Sequence, residues 1–160
     1  MKPITEQEVE NAQKAWGKGI VKIGKAYYNG EDYKQAAIDH INEFYNYQEG
    51  SVLFKPTLTS IKQFRLDFEG ALSYFIGQNS NYPEDKGFAL KPWVNVGWEN
   101  VGTKIYGDIA IAMGNYYFTP KGDNPVPEKV EYSFAYIKVK GKLRIELQHS
   151  SLPYTPKSNE

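Results

Sequence analysis

The sequence predicts an α+β fold in which N-terminal helices are enclosed by a curved antiparallel sheet, giving a cone with a pocket. Two observations carry this. Apolar residues recur every three or four positions up to about residue 75, and from Gly87 their period drops to two. Helices therefore gather at one end of the chain and strands at the other, which is the α+β arrangement. A third observation is length, since 160 residues fit one domain. Residues 1–153 read as that single cone-shaped domain, and 154–160 read as a polar tail.

The first helix is marked by Val9, Ala12, Trp16, Ile20, Ile23 and Tyr27, one apolar stripe. Thr5 followed by Glu8 is a capping box. Gly17, Gly19 and Gly24 lower its intrinsic helicity, so tertiary packing must hold it. Asn29-Gly30 stops it. Asp32 opens a second helix, with Tyr33, Ala37, Ile41 and Phe44 on one face and Gly50 closing the region. Val52-Leu53-Phe54-Lys55 is a short strand cut off by Pro56. Residues 57–60 are expected to turn into a third helix carrying Phe64, Phe68, Leu72 and Phe75, ended by Gly77. A polar loop spans 78–86.

Phe88, Leu90, Val94, Val96 and Trp98 then alternate along a strand, with a turn expected at Asn100-Val101-Gly102. Ile105, Ile109, Ile111 and Met113 alternate along the next strand, which extends towards Phe118. Residues 120–127 form a loop. Val130, Tyr132, Phe134 and Tyr136 mark another strand, Lys140-Gly141 a tight turn, and Leu143, Ile145 and Leu147 the start of the last.

Composition narrows the function. Lys plus Arg and Asp plus Glu are both 19, so there is no basic excess for a nucleic-acid backbone or an anionic membrane surface. No cysteine is present, which excludes disulfides, thiolate metal sites and a cysteine nucleophile. His40 and His149 are the only histidines, so one chain cannot build a three-histidine zinc site. The first residues carry no apolar signal-like run and no stretch suits a membrane helix, so a cytoplasmic location is expected. The 13 tyrosines suit a semi-polar pocket or a subunit interface as well as sheet packing.

The order of elements is that of the nuclear-transport-factor-2-like (or SnoaL-like) cone. More specific are Leu53-Phe54-Lys55-Pro56-Thr57, Gly70-Ala71-Leu72-Ser73-Tyr74-Phe75, and the run from Glu84 through Lys91-Pro92-Trp93. To these add Ala112-Met113-Gly114-Asn115-Tyr116-Tyr117-Phe118-Thr119 and His149-Ser150-Ser151-Leu152-Pro153. Together they resemble the iota-class carbonic anhydrase family, a branch of cones similar to the association domain of calcium/calmodulin-dependent kinase II. The resemblance implies reversible hydration of carbon dioxide to bicarbonate. It also implies a homodimer or larger homo-oligomer formed through the outer sheet face. Within that family the metal-free branch suits this chain best, with no cofactor expected.

The resemblance places bicarbonate among hydroxyls, with Thr57, Tyr74 and Ser150 matching the family's site residues. The family's terminal motif has two histidines before two serines. Here it reads Gln148-His149-Ser150-Ser151, so Gln148 replaces the first histidine. Thr57, Tyr74 and Ser150 are suitable donors to a developing anion. Water activation is left with three routes: Tyr74 as base, His149 as base or shuttle, or hydroxyls that only orient the reactants. Strand alternation puts Gln148 and Ser150 on one face and His149 on the other, so His149 and Ser150 share a pocket only if the strand bulges or ends between them. Lys55 offers positive charge nearby. Asp67, Glu69 and Asp108 are loose candidates for a carboxylate base in a different cone-fold reaction. A non-catalytic oligomerising, small-ligand-binding module like the kinase association domain is the alternative.

Overall fold

The computed structural model describes residues 2–158. Helix α1 (Glu6–Tyr28) opens with the expected capping box: Thr5 Oγ1 accepts from Glu8 N–H at 3.1 Å while Glu8 accepts from Thr5 N–H at 2.8 Å. Val9, Trp16, Ile20 and Ile23 are buried along its stripe. Its glycines sit where neighbours approach. An added Cβ at Gly17 would lie 3.0 Å from Val96 Cβ, and one at Gly19 would lie 2.1 Å from the His40 ring. The residues that weaken the helix thus let the sheet and the second helix close on it.

Helix α2 (Tyr33–Phe44), capped by Asp32, packs on α1 and delivers Tyr45 to the interior. Strand β1 (Leu53–Lys55) follows a 3₁₀ turn (Tyr47–Glu49). Helix α3 (Phe68–Ile76) starts later than the residue pattern suggests, since Asp67 caps it by accepting from Gly70 N–H at 2.8 Å. The segment before it stays irregular because other groups take its backbone donors. The Glu84 carboxylate accepts the N–H groups of Ser60, Ile61 and Lys62 at 2.6, 2.9 and 2.7 Å. Phe64, expected on that helix, is exposed. Phe88 and Leu90 also leave the strand assignment and lie in a 3₁₀ turn (Phe88–Leu90) entered through Gly87 at φ +82°.

Strands β2 (Trp93–Tyr106), β3 (Ile109–Pro120), β4 (Glu128–Val139) and β5 (Lys142–Ser151) complete a five-stranded sheet in the order β1-β5-β4-β3-β2. All pairs are antiparallel except β1 with β5. The turn expected at 100–102 is a bulge within β2, where the register slips between Asn100 and Gly102; the hairpin reverses after Tyr106 instead. Opposite it, an added Cβ on Gly114 would meet Glu99 O at 2.0 Å, so only glycine fits that crossing. The Ile109, Ile111 and Met113 alternation faces outward and is exposed; the inner phase of β3 is Ala110, Ala112, Tyr116 and Phe118. Residues 154–158 of the tail have no regular structure, while 1 and 159–160 lie outside the described residues.

The core is aromatic. Trp16 contacts Trp98, Tyr116, Phe118 and Phe134 with centroids 5.8–6.4 Å apart. His40 is buried among Trp16, Phe44 and Phe75, and neither ring nitrogen has a hydrogen-bond partner. Burial pushes its pKa down to about 3.

The unfolded chain therefore takes up a proton near pH ~6.5 that native His40 refuses until about 3. Stability is lost as pH falls through that window, by up to ~1.4 kcal/mol per unit. Thermal unfolding from pH 7.5 to 4.5 should show a steeper acid loss in the wild type than in His40→Leu. Equal slopes would mean that His40 is protonated in the native state.

Candidate functional site

Strand β5 reaches the interior twice with a change of phase between. β4 pairs Tyr136 with Ile145 but Ala135 with Leu147, which leaves Glu146 as the extra residue of a bulge. Ile145 is buried before the bulge, and Gln148 and Ser150 are buried after it. The face expected to hold Ile145 and Leu147 together is thus split. Asn46 pins the bulge from the end of α2, its N–H donating to Ile145 O at 3.1 Å and its side chain to the Glu146 carboxylate.

Parallel pairing of β1 with β5 matches Phe54 to Gln148 and Lys55 to His149, which brings Thr57 beside Ser150. Thr57 Oγ1 lies 2.6 Å and Tyr116 Oη 2.5 Å from Ser150 Oγ. Gln148 Nε2 donates to Tyr116 Oη at 3.2 Å, and Gln148 Oε1 accepts from Tyr45 Oη at 2.5 Å. Trp16 Nε1 donates to Tyr45 Oη at 3.0 Å. Tyr74, on α3, accepts from Leu58 N–H at 3.2 Å. Lys55 Nζ donates to the Ser150 carbonyl at 3.0 Å, and partial burial lowers its pKa.

Thr57, Tyr74, Tyr116, Gln148 and Ser150 line one small cavity, with Trp16, Phe54, Phe75, Phe88 and Phe118 as its apolar walls. Its volume, about 10 Å³, is close to what one water needs. Tyr74 and Phe88, stacked at 5.5 Å, also line a vestibule of about 690 Å³ that opens towards Trp93 and Lys91.

Burial pushes the Tyr74 hydroxyl well above the usual tyrosine range, partly offset by Leu58 N–H. It pushes Tyr116 up to about 12, partly offset by bonds to Ser150 and Gln148. Both are neutral donors near pH 7, which opposes the route in which Tyr74 ionises to take a proton. His149 is exposed on the outer sheet face, beside Met113, Ser133 and Glu131, so it does not join Thr57, Tyr74 and Ser150. The bulge at Glu146 keeps Gln148 and Ser150 inside, and regular alternation beyond it turns His149 out. Asp67 is the α3 cap, Glu69 accepts from Asn79 and Asn81 at the surface, and Asp108 is exposed, so none of these is a buried base. Among the described residues, no group of three or more His, Asp or Glu is arranged to hold a metal ion.

The family described as metal-independent carbonic anhydrase matches residues 7–152. The chain belongs to this family. A metal-independent carbonic anhydrase from Nostoc sp. strain PCC 7120 is 44% identical over 155 residues, covering 94% of this chain and 75% of that protein. An iota-carbonic anhydrase from a cyanobacterium, solved in complex with bicarbonate, superposes with a TM-score of 0.92 at 43% identity, covering 96% of this chain and 95% of that one. The putative calcium/calmodulin-dependent protein kinase II association domain of Xanthomonas campestris has a TM-score of 0.64 at 21% identity, over 94% and 89% of the chains, and shows the shared cone fold.

Within this carbonic anhydrase family member, sequence reasoning missed Tyr116, Tyr45 and Trp16. Tyr116 lies in the Ala112–Thr119 motif, in phase with Ala112 and Phe118, and its hydroxyl is the available signal. Tyr45 and Trp16 read as core because their rings are core; their polar tips have partners only in the folded chain.

A buried ion pair ties the segment before α3 to α3 itself. Arg65 grips Asp85 at 2.6 and 2.7 Å, donates to Gly70 O and Lys62 O, and stacks on Tyr82, while Ser73 Oγ donates to Asp85. Both side chains are fully buried. Asp85→Asn should cost about 3–5 kcal/mol in urea unfolding, because it strands a buried guanidinium. A cost below ~1 kcal/mol would show that Arg65 finds solvent.

Proposed function

We propose that this protein catalyses the reversible hydration of carbon dioxide to bicarbonate without a metal, in the cavity under Thr57, Tyr74 and Ser150. The observation that carries this reading is the convergence of these hydroxyls, from segments far apart in the chain, on one aromatic-walled cavity in a member of the metal-independent carbonic anhydrase family. The bicarbonate complex of the cyanobacterial relative supports the same substrate class here.

The aromatic walls suit apolar carbon dioxide, and the hydroxyls suit the charge that develops on its oxygens. Water oxygen attacks the carbon, one C=O π bond shifts its electrons to oxygen, and the proton from the water leaves to solvent. Neutral Thr57 and Tyr74 donate to the oxyanion and Ser150, bonded to Thr57, holds it in place, so the hydroxyls orient the reactants without taking the proton. The cavity admits carbon dioxide when the Tyr74–Phe88 stack yields towards the vestibule. His149 has no part in this reading. Gln148 borders the cavity, with its amide engaged by Tyr45 and Tyr116.

Stopped-flow hydration assays on metal-stripped protein with chelator present should give activity above the buffer rate. Thr57→Ala should lose about 10²-fold in kcat, the effect of removing one oxyanion donor, and Ser150→Ala should also lose kcat because it unties Thr57. His149→Ala should retain wild-type kcat. A folded, inactive wild-type protein would return the function to a non-catalytic ligand-binding module.

We also propose homodimerisation through the outer sheet face. Leu53, Leu147, Ala135 and Ile111 lie in register across β1, β5, β4 and β3, and exposed Met113 and Ile109 extend the patch. Ile111→Lys should convert the dimer to monomer in sedimentation velocity. An unchanged sedimentation coefficient would place the interface elsewhere.

A further inference from the structure

The hydrogen bonds leading to the cavity have a direction from Trp16 as far as Tyr116, and it follows from the donor and acceptor capacities of the partners. The indole N–H of Trp16 can only donate, so Tyr45 Oη accepts from it. Tyr45 is fully buried, and its own proton has Gln148 Oε1 as acceptor. The opposite amide orientation would leave that proton without a partner. Gln148 therefore turns its NH₂ to Tyr116. Tyr116 Oη accepts there and lies against Ser150 Oγ, which lies against Thr57 Oγ1; in both hydroxyl pairs either oxygen has a proton to give, and the chain keeps one direction when Tyr116 donates to Ser150 and Ser150 to Thr57. In that direction Thr57 accepts from Ser150 and keeps its own proton for the cavity, where the Tyr74 and Tyr116 hydroxyls are its neighbours. Tyr74, accepting from Leu58 N–H, also keeps its proton for the cavity.

We infer that Trp16, Tyr45, Gln148 and Tyr116 form a one-way hydrogen-bond relay that fixes the polarity of Ser150 and Thr57, so that the cavity presents donors to an oxyanion. These are positioning residues. The inference rests on the proposed function for its consequence, but the polarity itself can be read independently. The role of Gln148 is to be an acceptor at one end and a donor at the other. A neutral imidazole has the same capacity, whereas a thioether cannot replace the donor and a carboxylate has only acceptors.

Neutron diffraction from perdeuterated full-length protein reads the polarity directly. A deuteron on Tyr116 Oη aimed at Ser150, with the Gln148 amide nitrogen facing Tyr116, is expected. A deuteron aimed from Tyr116 to Gln148, or from Ser150 to Tyr116, overturns the relay, whether or not the protein hydrates carbon dioxide.

Function is read on Tyr45→Phe, Gln148→Met and Gln148→His, each checked for native near-UV circular dichroism. Bicarbonate affinity by ¹³C NMR and kcat for carbon dioxide hydration should both fall about five- to tenfold in Tyr45→Phe and Gln148→Met, what one lost hydrogen bond returns. Gln148→His should recover most of the Gln148→Met loss above neutral pH. It should also gain an acid limb at or below pH ~6.5, where a protonated imidazole no longer accepts from Tyr45. A purely structural role would create no such limb. Wild-type bicarbonate affinity and kcat in folded Tyr45→Phe and Gln148→Met would overturn the positioning role. A wild-type protein without hydration activity would instead overturn the proposed function, while the neutron map still decides the relay.

Discussion

At Glu146, strand β5 takes one more residue than its partner, and the interior depends on that slip. Before it, Ile145 fills the core; after it, Gln148 and Ser150 face the cavity. Regular alternation from Ile145 would instead send Leu147 and His149 inward and turn the polar pair to the outer face. One strand can therefore serve an apolar core at one end and a polar site at the other. Asn46 holds the extra residue by both its backbone and its side chain, so the end of α2 is tied to the site as well as to the core.

The site combines an aromatic shell with polar tips that satisfy one another. Trp16 and Tyr45 bury large rings, yet each spends its polar atom on the path leading to Gln148. A buried hydroxyl without a partner would cost about 1–3 kcal/mol, so packing and hydrogen bonding constrain each other here. The same burial raises the tyrosine pKa values and keeps the hydroxyls protonated near neutral pH. An environment of this kind favours neutral donors over an ionised base, and the chemistry assigned to the cavity follows from that preference.

Opposite faces of the sheet have different tasks. Inner residues Ala110 and Ala112 are buried in the core, while Ile109, Ile111 and Met113 stand exposed on the outer face. Strand alternation alone reads both as ordinary sheet positions. Only the side on which helices pack distinguishes them.

The sequence by itself determined the helix–sheet order, the Thr5–Glu8 cap, the absence of thiolate chemistry, and the kinship through its ordered motifs. These are local or compositional properties, written in periodicity and residue type. It also placed Gln148 and Ser150 on one face and His149 on the other. Tertiary structure decided where α3 begins, because Glu84, distant in sequence, takes the backbone donors of residues 60–62. It decided that Asn100-Val101-Gly102 is a bulge and not a turn, because β3 continues alongside it. And it joined Trp16, Tyr45 and Tyr116 to the site, since a hydrogen bond between residues as far apart as Tyr45 and Gln148 leaves no local trace in the chain.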